Sequence, residues 1–230
     1  MNTAVVVFPG SNCEHDVVYA LETLGGSADL VWHRDTDLSG YDSVVLPGGF
    51  AHGDYLRTGA IARFSPVMGE VNRLAAAGAP VLGICNGFQV LCEAGLLPGV
   101  LLQNRDLKFI CRPIHLRVES TDSILTRAAR VGDVLEIPLN SYEGNYTASA
   151  DEIASIETGG YVPLRYSSST GTVDTDSNPN GSTNNIAAVS KSNVAGIMPH
   201  PERAIEEILG SADGRVLLES FLQSRVAVNV

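Results

Sequence analysis

The apolar run APVLGIC ends on a cysteine held between two glycines, Gly83-Ile84-Cys85-Asn86-Gly87, and the helical pattern NGFQVLCEAG follows directly. A thiol at the point where a buried strand turns into a helix sits at the carboxyl edge of a sheet, and the helix N-terminus favours its thiolate form. Gly83 and Gly87 have no Cβ to clash in so tight a turn, which is the steric logic of the G-x-S-x-G elbow. The backbone N–H of Asn86 is then free to face an oxyanion. A nucleophile needs a base, and the base needs an orienting group. Of the five histidines (His15, His33, His52, His115, His200), His200 stands out in MPHPERA, after the apolar run AGIM. Pro201 biases His200 towards an extended backbone, in which residues two apart project to the same side, so His200 and Glu202 can meet. Taken alone, the segment reads more readily as a proline-bounded turn whose Glu202 opens a helix. A second oxyanion donor is available in LPGGF, where Gly48-Gly49 lets the backbone approach a substrate and aim the Gly49 N–H at it. Cys13 and His15, two apart in GSNCEHD, are a rival pair without flanking glycines; Cys13 is expected to be structural or to line the site, and Cys92 to lie in the core.

These residues need a frame. Short apolar runs alternate with helical patterns, the signature of βαβ units in an α/β fold with a mostly parallel sheet. Strands are expected at 3–8, 28–33, 42–49 and 79–85, with a helix at 14–24 closed by Gly25-Gly26. Between Asp54 and Ala77 the apolar residues Ile61, Phe64, Met68, Val71 and Leu74 recur at three and four, and Ser65-Pro66 reads as an N-cap with proline at the first helical position. This predicts two helices, or one kinked at Pro66. Residues 108–166 alternate and turn often, as antiparallel strands added to the sheet would. Residues 167–185 contain one apolar side chain in nineteen and read as a mobile surface loop within a single domain spanning 1–230. The strands IAAVS and AGIM follow, then helical patterns from Glu202 and from Gly214. Parallel α/β sheets gather their sites at the carboxyl ends of their strands, and the Cys85, His200 and Gly49 segments all fall there.

Composition removes several function classes. The 230 residues carry a formal charge of −11 with only two lysines, so no basic stripe exists to follow a phosphate backbone, and nucleic acid is not an expected partner. The N-terminus has no positively charged leader and eighteen apolar residues never run together, which predicts a cytoplasmic protein without a membrane span. Four cysteines without a CxxC pair predict free thiols rather than disulfides or a metal site. There is neither a GxxxxGK[ST] loop nor a GxGxxG, so ATP chemistry, if any, is expected on a partner.

PGG, GICNGFQ and HPE in this order resemble the class I (triad) glutamine amidotransferases. FPGSNC, PGGFAHGDYLRTGAIARFSPV and GICNGFQVLCEAGLLPG are similar to the small glutaminase subunit of phosphoribosylformylglycinamidine synthase, over residues 3 to about 222. The resemblance implies a flavodoxin-like open sheet with helices on both faces. It also implies that Cys85 attacks glutamine, His200 moves protons, Glu202 orients His200, and Gly49 and Asn86 donate to the oxyanion. Gly48 and Gln89 are expected to hold the substrate glutamine. No cofactor is implied in this chain; ATP and magnesium belong to a large synthetase subunit that receives the ammonia, and a small third subunit bridges the two. Where the family commonly has a histidine before EGNY, this chain has Ser141 and Tyr142. A cysteine hydrolase or protein-repair enzyme of the related elbow class is the competing reading, and a non-catalytic flavodoxin-like binding module a third.

Overall fold

In strand β1 (Asn2–Val7), the four consecutive residues Thr3, Ala4, Val5 and Val6 are all fully buried, so both faces of the strand are covered. That is the burial of a central strand in a parallel sheet. The structure, a computed structural model, describes residues 1–224; residues 225–230 of the expected 1–230 domain lie outside the described residues. β2 (Ser27–Trp32) and β3 (Ser43–Leu46) flank β1, and β4 (Val81–Ile84) follows β3, all parallel. The remaining strands are β5 (Val100–Leu102), β6 (Ile110–Val118), β7 (Val134–Ser141), β8 (Asn145–Thr147), β9 (Leu164–Ser167), β10 (Ile186–Lys191) and β11 (Val194–Ile197). β11 runs parallel to β4, which gives the order β2-β1-β3-β4-β11 of a flavodoxin-like sheet. Beyond it β10, β9, β6 and β7 extend the same sheet antiparallel to nine strands, while β5 and β8 form a separate ribbon. The helices are α1 (Glu14–Thr23), α2 (Val67–Ala76), α3 (Asn86–Glu93), α4 (Ala150–Thr158) and α5 (Gly214–Leu222). Among the described residues no helix is long and apolar enough to cross a membrane.

Register decides what meets at the sheet edge. Ile84 of β4 pairs with Ile197 of β11, and Leu46 of β3 pairs with Gly83 of β4. The chain therefore leaves three adjacent parallel strands at one level, immediately before Cys85, His200 and Gly48-Gly49. Cys85 N–H donates to the Ile197 carbonyl at 2.8 Å, and His200 N–H to the Pro138 carbonyl of β7 at 2.8 Å.

Several expectations change. Residues 54–64 are not an α-helix: there are single 3-10 turns at Ala51–Asp54 and Ala62–Phe64, and Phe64 is 75% exposed. The reason is local, since Gly53 and Gly59 take positive φ, and a Cβ on Gly59 would lie 2.9 Å from the Val90 nitrogen of α3. Ser65 does not cap α2 with its side chain; its hydroxyl pairs with His33 Nδ1 at 3.0 Å, and Pro66 occupies the cap position. The helix expected from Glu202 is one 3-10 turn, Pro201–Arg203.

The tract 167–185 is a surface loop for only part of its length. Residues from Ser168 to Ser177 are largely exposed, but Asn178, Asn180, Ser182 and Asn185 are buried. Asn180 Nδ2 donates to the Gly144 carbonyl at 2.7 Å and to the Tyr166 hydroxyl at 3.0 Å, and Asn178 Nδ2 to the Ser182 carbonyl at 2.7 Å. Polar side chains can be buried when their hydrogen bonds are satisfied, so a scarcity of apolar residues did not mean exposure.

Candidate active site

Cys85 has φ +50° and ψ −105°, a backbone that side-chain-bearing residues rarely adopt and that clusters at functional positions. The flanking glycines permit it: a Cβ on Gly87 would lie 1.9 Å from the Leu46 carbonyl oxygen, and one on Gly83 would lie 2.6 Å from the Gly87 carbonyl. The Cys85 thiol lies 3.6 Å from the Asn140 carbonyl oxygen.

His200 and Glu202 are each 2% exposed, and His200 Nδ1 meets Glu202 Oε1 at 2.6 Å. The 3-10 turn Pro201–Arg203, rather than the extended backbone expected there, brings the two side chains to one side. Burial disfavours the imidazolium, but the Glu202 carboxylate and the nearby thiols outweigh it and hold the His200 pKa well above its ordinary value. With Nδ1 engaged by Glu202, Nε2 is left buried without a partner, and Cys85 and Cys13 both lie within hydrogen-bonding reach of the ring. Such a geometry holds a base by one nitrogen and presents the other to a nucleophile.

The three segments open onto a cavity of about 420 Å³ whose lining includes Cys85, His200, Gly49, Gln89, Asp54 and Glu143. Gly48 does not line it. A Cβ there would lie 2.8 Å from His200 Cε1 and 2.9 Å from Cys13 Sγ, so Gly48 makes room for the imidazole rather than for a substrate. Gly49 has φ +146°, and a Cβ on it would lie 2.7 Å from the Gly10 carbonyl oxygen, so glycine is required at this crossing. Asn86 opens α3, where the first backbone N–H groups have no intrahelical acceptor. Gln89 is buried, with Nε2 donating to the Glu143 carbonyl at 2.6 Å and Oε1 accepting from Asn86 Nδ2 at 2.9 Å.

Sequence reasoning missed two features. The Asn86 side chain ties the loop after Gly49 to the elbow: Oδ1 accepts from the Ala51 N–H at 3.0 Å, and Nδ2 reaches Asp54 Oδ1 at 3.3 Å. Asp54 and Glu143 form an acidic end of the cavity. Burial and the nearby Glu143 charge push the Asp54 carboxyl up to about 6, against the Asn86 amide, and burial also raises Glu143. Nothing in a pattern of apolar spacing marks either carboxylate; the positive φ of Asp54 (+54°) is what aims it inward, and φ is not written in residue type. Cys13, expected to be structural or to line the site, lines the cavity, while Cys92 is in the core, where burial raises its thiol strongly.

A family model described as the CobB/CobQ-like glutamine amidotransferase domain matches residues 1–217. Phosphoribosylformylglycinamidine synthase subunit PurQ of Chlorobaculum parvum is 52% identical over 224 residues, covering 96% of this chain and 89% of the relative. The chain belongs to the PurQ family of glutamine amidotransferases. Subunit PurQ of Gloeobacter violaceus is likewise 52% identical, over 99% of this chain and 100% of its own length. Among solved structures, a chain of PurLQS from Thermotoga maritima superposes with TM-score 0.85 at 41% identity, covering 96% of this chain and 97% of that one. A glutamine amidotransferase of the same organism, 15% identical with TM-score 0.56 over 98% and 91% of the chains, shares the fold. The family is thus one in which the flavodoxin-like sheet extends well beyond close relatives.

Proposed function

We propose that Cys85, His200 and Glu202 hydrolyse the side-chain amide of glutamine as a triad, in the glutaminase subunit of phosphoribosylformylglycinamidine synthase. The Cys85 sulfur adds to the amide carbon with its proton carried on His200 Nε2, since the His200 pKa lies well above its ordinary value. The oxyanion is held by the N–H groups of Gly49 and Asn86. Collapse breaks the C–N bond, and the proton on His200 goes to the departing nitrogen, which leaves as ammonia. Water, deprotonated by the same imidazole, then opens the thioester to glutamate, and Glu202 keeps the imidazole in one tautomer throughout. The observation that carries this reading is the buried His200–Glu202 pair, with its free Nε2, beside the strained elbow of Cys85.

Asp54 and Glu143 supply the negative end suited to the α-ammonium of an amino acid, and Gln89 holds the Glu143 carbonyl in place from α3. The liberated ammonia passes to a large synthetase subunit, which carries ATP and magnesium and converts formylglycinamide ribonucleotide to its amidine. A small subunit bridging the two completes the complex; the PurLQS structure from Thermotoga maritima agrees with a multi-subunit assembly. The names of the relatives, all subunits of one synthase, favour this over a free-standing cysteine hydrolase. The test is Cys85→Ala in the assembled complex: glutamine-dependent amidine formation is lost while synthesis from added ammonium salt persists. Loss of both in a complex that still assembles would refute the division of labour.

A further inference from the structure

Beside the triad lies a second thiol to which the reaction gives no task. Cys13 is 2% exposed, and its Sγ accepts from Arg203 Nη2 at 3.2 Å and lies 3.0 Å from Asn12 Oδ1. One ligand atom from each of Cys13, His200 and Glu202 lies within 4.8 Å of the others, and all three side chains are buried. Glu202 Oε2 is buried with no hydrogen-bond partner, and His200 Nδ1, which faces the Glu202 carboxylate at 2.6 Å, is the ring nitrogen that can share an ion with it. Unpartnered atoms of this kind are rare inside proteins and call for an occupant or a transient partner.

Sulfur, imidazole nitrogen and carboxylate oxygen together form the donor set of zinc-class ions, whereas magnesium and calcium take oxygen alone. Bonds of about 2.0–2.3 Å in a tetrahedron separate ligand atoms by roughly 3.3–3.8 Å, so side-chain rotations on the order of 1 Å close the site. Charge also balances. A Cys13 thiolate and the Glu202 carboxylate neutralise a dication, and the neighbouring Arg203 is already paired with Asp16 at 3.0 Å.

We propose that a thiophilic divalent cation of the zinc class binds at Cys13, His200 and Glu202 and reversibly switches the glutaminase off. The Cys13 S–H and His200 Nδ1–H bonds break as the bonds to the metal form, both protons pass to solvent, and nothing is oxidised. Inhibition, but not binding, rests on the reading of His200 as the base, because the ion replaces the proton between His200 Nδ1 and Glu202 and so separates the base from its orienting group.

The experiment titrates the purified full chain with cobalt(II) and with zinc(II) alone. Wild type is expected to bind one cobalt per chain with a thiolate-to-cobalt charge-transfer band, displaced by zinc. Cys13→Ser is expected to lose the band and to weaken zinc binding by more than about 100-fold, beyond the effect of groups that merely orient a ligand. Zinc should also suppress ammonia release in wild type, reversibly by chelator, with each variant normalised to its own zinc-free rate. A band that survives Cys13→Ser, or no stoichiometric binding by wild type, overturns the site. Should the serine variant not fold, wild type still decides: zinc must slow alkylation of Cys13, and unaltered alkylation overturns the proposal. Failure of the triad reading looks different, since Cys85→Ala would then keep its ammonia release while the cobalt band still depended on Cys13.

Discussion

Cys85 holds an unfavourable backbone, and the energy for it comes from its neighbours: the Ile197 carbonyl bonded to its N–H, and two glycines, Gly83 with its side-chain space filled by Gly87 and Leu91 and Gly87 with its own filled by Leu46. Strain kept in place in this way marks a residue whose position matters more than its own stability. Removing the thiol with Cys85→Ala is therefore expected to leave the fold intact and to lower glutaminase turnover by about 10⁴-fold or more, as triad deletions do elsewhere. Ammonia release measured at saturating glutamine checks this. Asp54 gives the residue scale its pH dependence. Its carboxyl titrates at about 6 in the folded chain, raised above its ordinary value, so the folded state binds this proton more tightly than the unfolded chain does. This one group thus adds stability as pH falls from about 6 through the unfolded value, and detracts from it above about 6. In the ligand-free protein Asp54→Asn is expected to raise the thermal midpoint at pH 8 and to lose that advantage near pH 4. For catalysis the sign is opposite: KM for glutamine should rise as pH falls through about 6, while the variant has a high KM throughout. A pH profile of KM that is the same in both proteins would remove Asp54 from substrate binding.

Two elements hold the site in shape from opposite sides. On one side α3 anchors the loop after Gly49 through Asn86, whose amide makes three hydrogen bonds, to Ala51, Asp54 and Gln89. Truncation to Asn86→Ala leaves the Ala51 N–H and the Gln89 oxygen unsatisfied, at about 1–3 kcal/mol for each buried group abandoned. Denaturant unfolding should show a loss of that order, and ammonia release should fall further than Asn86→Asp makes it fall, because aspartate keeps the acceptor for Ala51. On the other side the polar stretch after Ser177 props up the Glu143–Gly144 turn through Asn180. Asn180→Ala should accordingly cost about 1–3 kcal/mol of stability, whereas deletions confined to 168–173 should shift the thermal midpoint less, since none of those residues is buried. Equal losses from both changes would contradict this division of the loop.

At the scale of the whole molecule, the segment after Gly49 is conspicuous for what it leaves uncovered. Phe50, Tyr55, Leu56 and Phe64 are 47%, 74%, 92% and 75% exposed, on a stretch continuous with the Gly48-Gly49 turn proposed to hold the oxyanion. A subunit docked there would settle the 50–64 segment and, through it, the orientation of the Gly49 peptide. Loss of one oxyanion donor costs about 10²–10³ in rate, enough to keep an unassembled glutaminase idle. Ammonia release by the isolated chain is thus expected to be lower, by up to that factor, than in the complex supplied with nucleotide and ribonucleotide substrate. Identical steady-state rates would show that assembly controls nothing here.

The residue types already contained the candidate site. A glycine-flanked cysteine between an apolar strand and a helix, and a histidine two residues before a glutamate across a proline, are local patterns, and steric rules that act over a few bonds determine their shape. For the same reason the parallel strands and α1, α2 and α3 were legible, whereas the 54–64 segment was not. Its apolar spacing mimicked a helix, but two glycines and the packing of Gly59 on α3 fixed its backbone. What tertiary structure alone decided is which distant groups share a space. The pairing of Ile84 with Ile197 joins residues more than a hundred positions apart and sets His200 beside Cys85. The burial of Asn180, the inward turn of Asp54 and the placing of Cys13 against His200 arise in the same way. Each depends on hydrogen bonds and excluded volume contributed by other strands, so no window of sequence contains the information, and only the closed sheet supplies it.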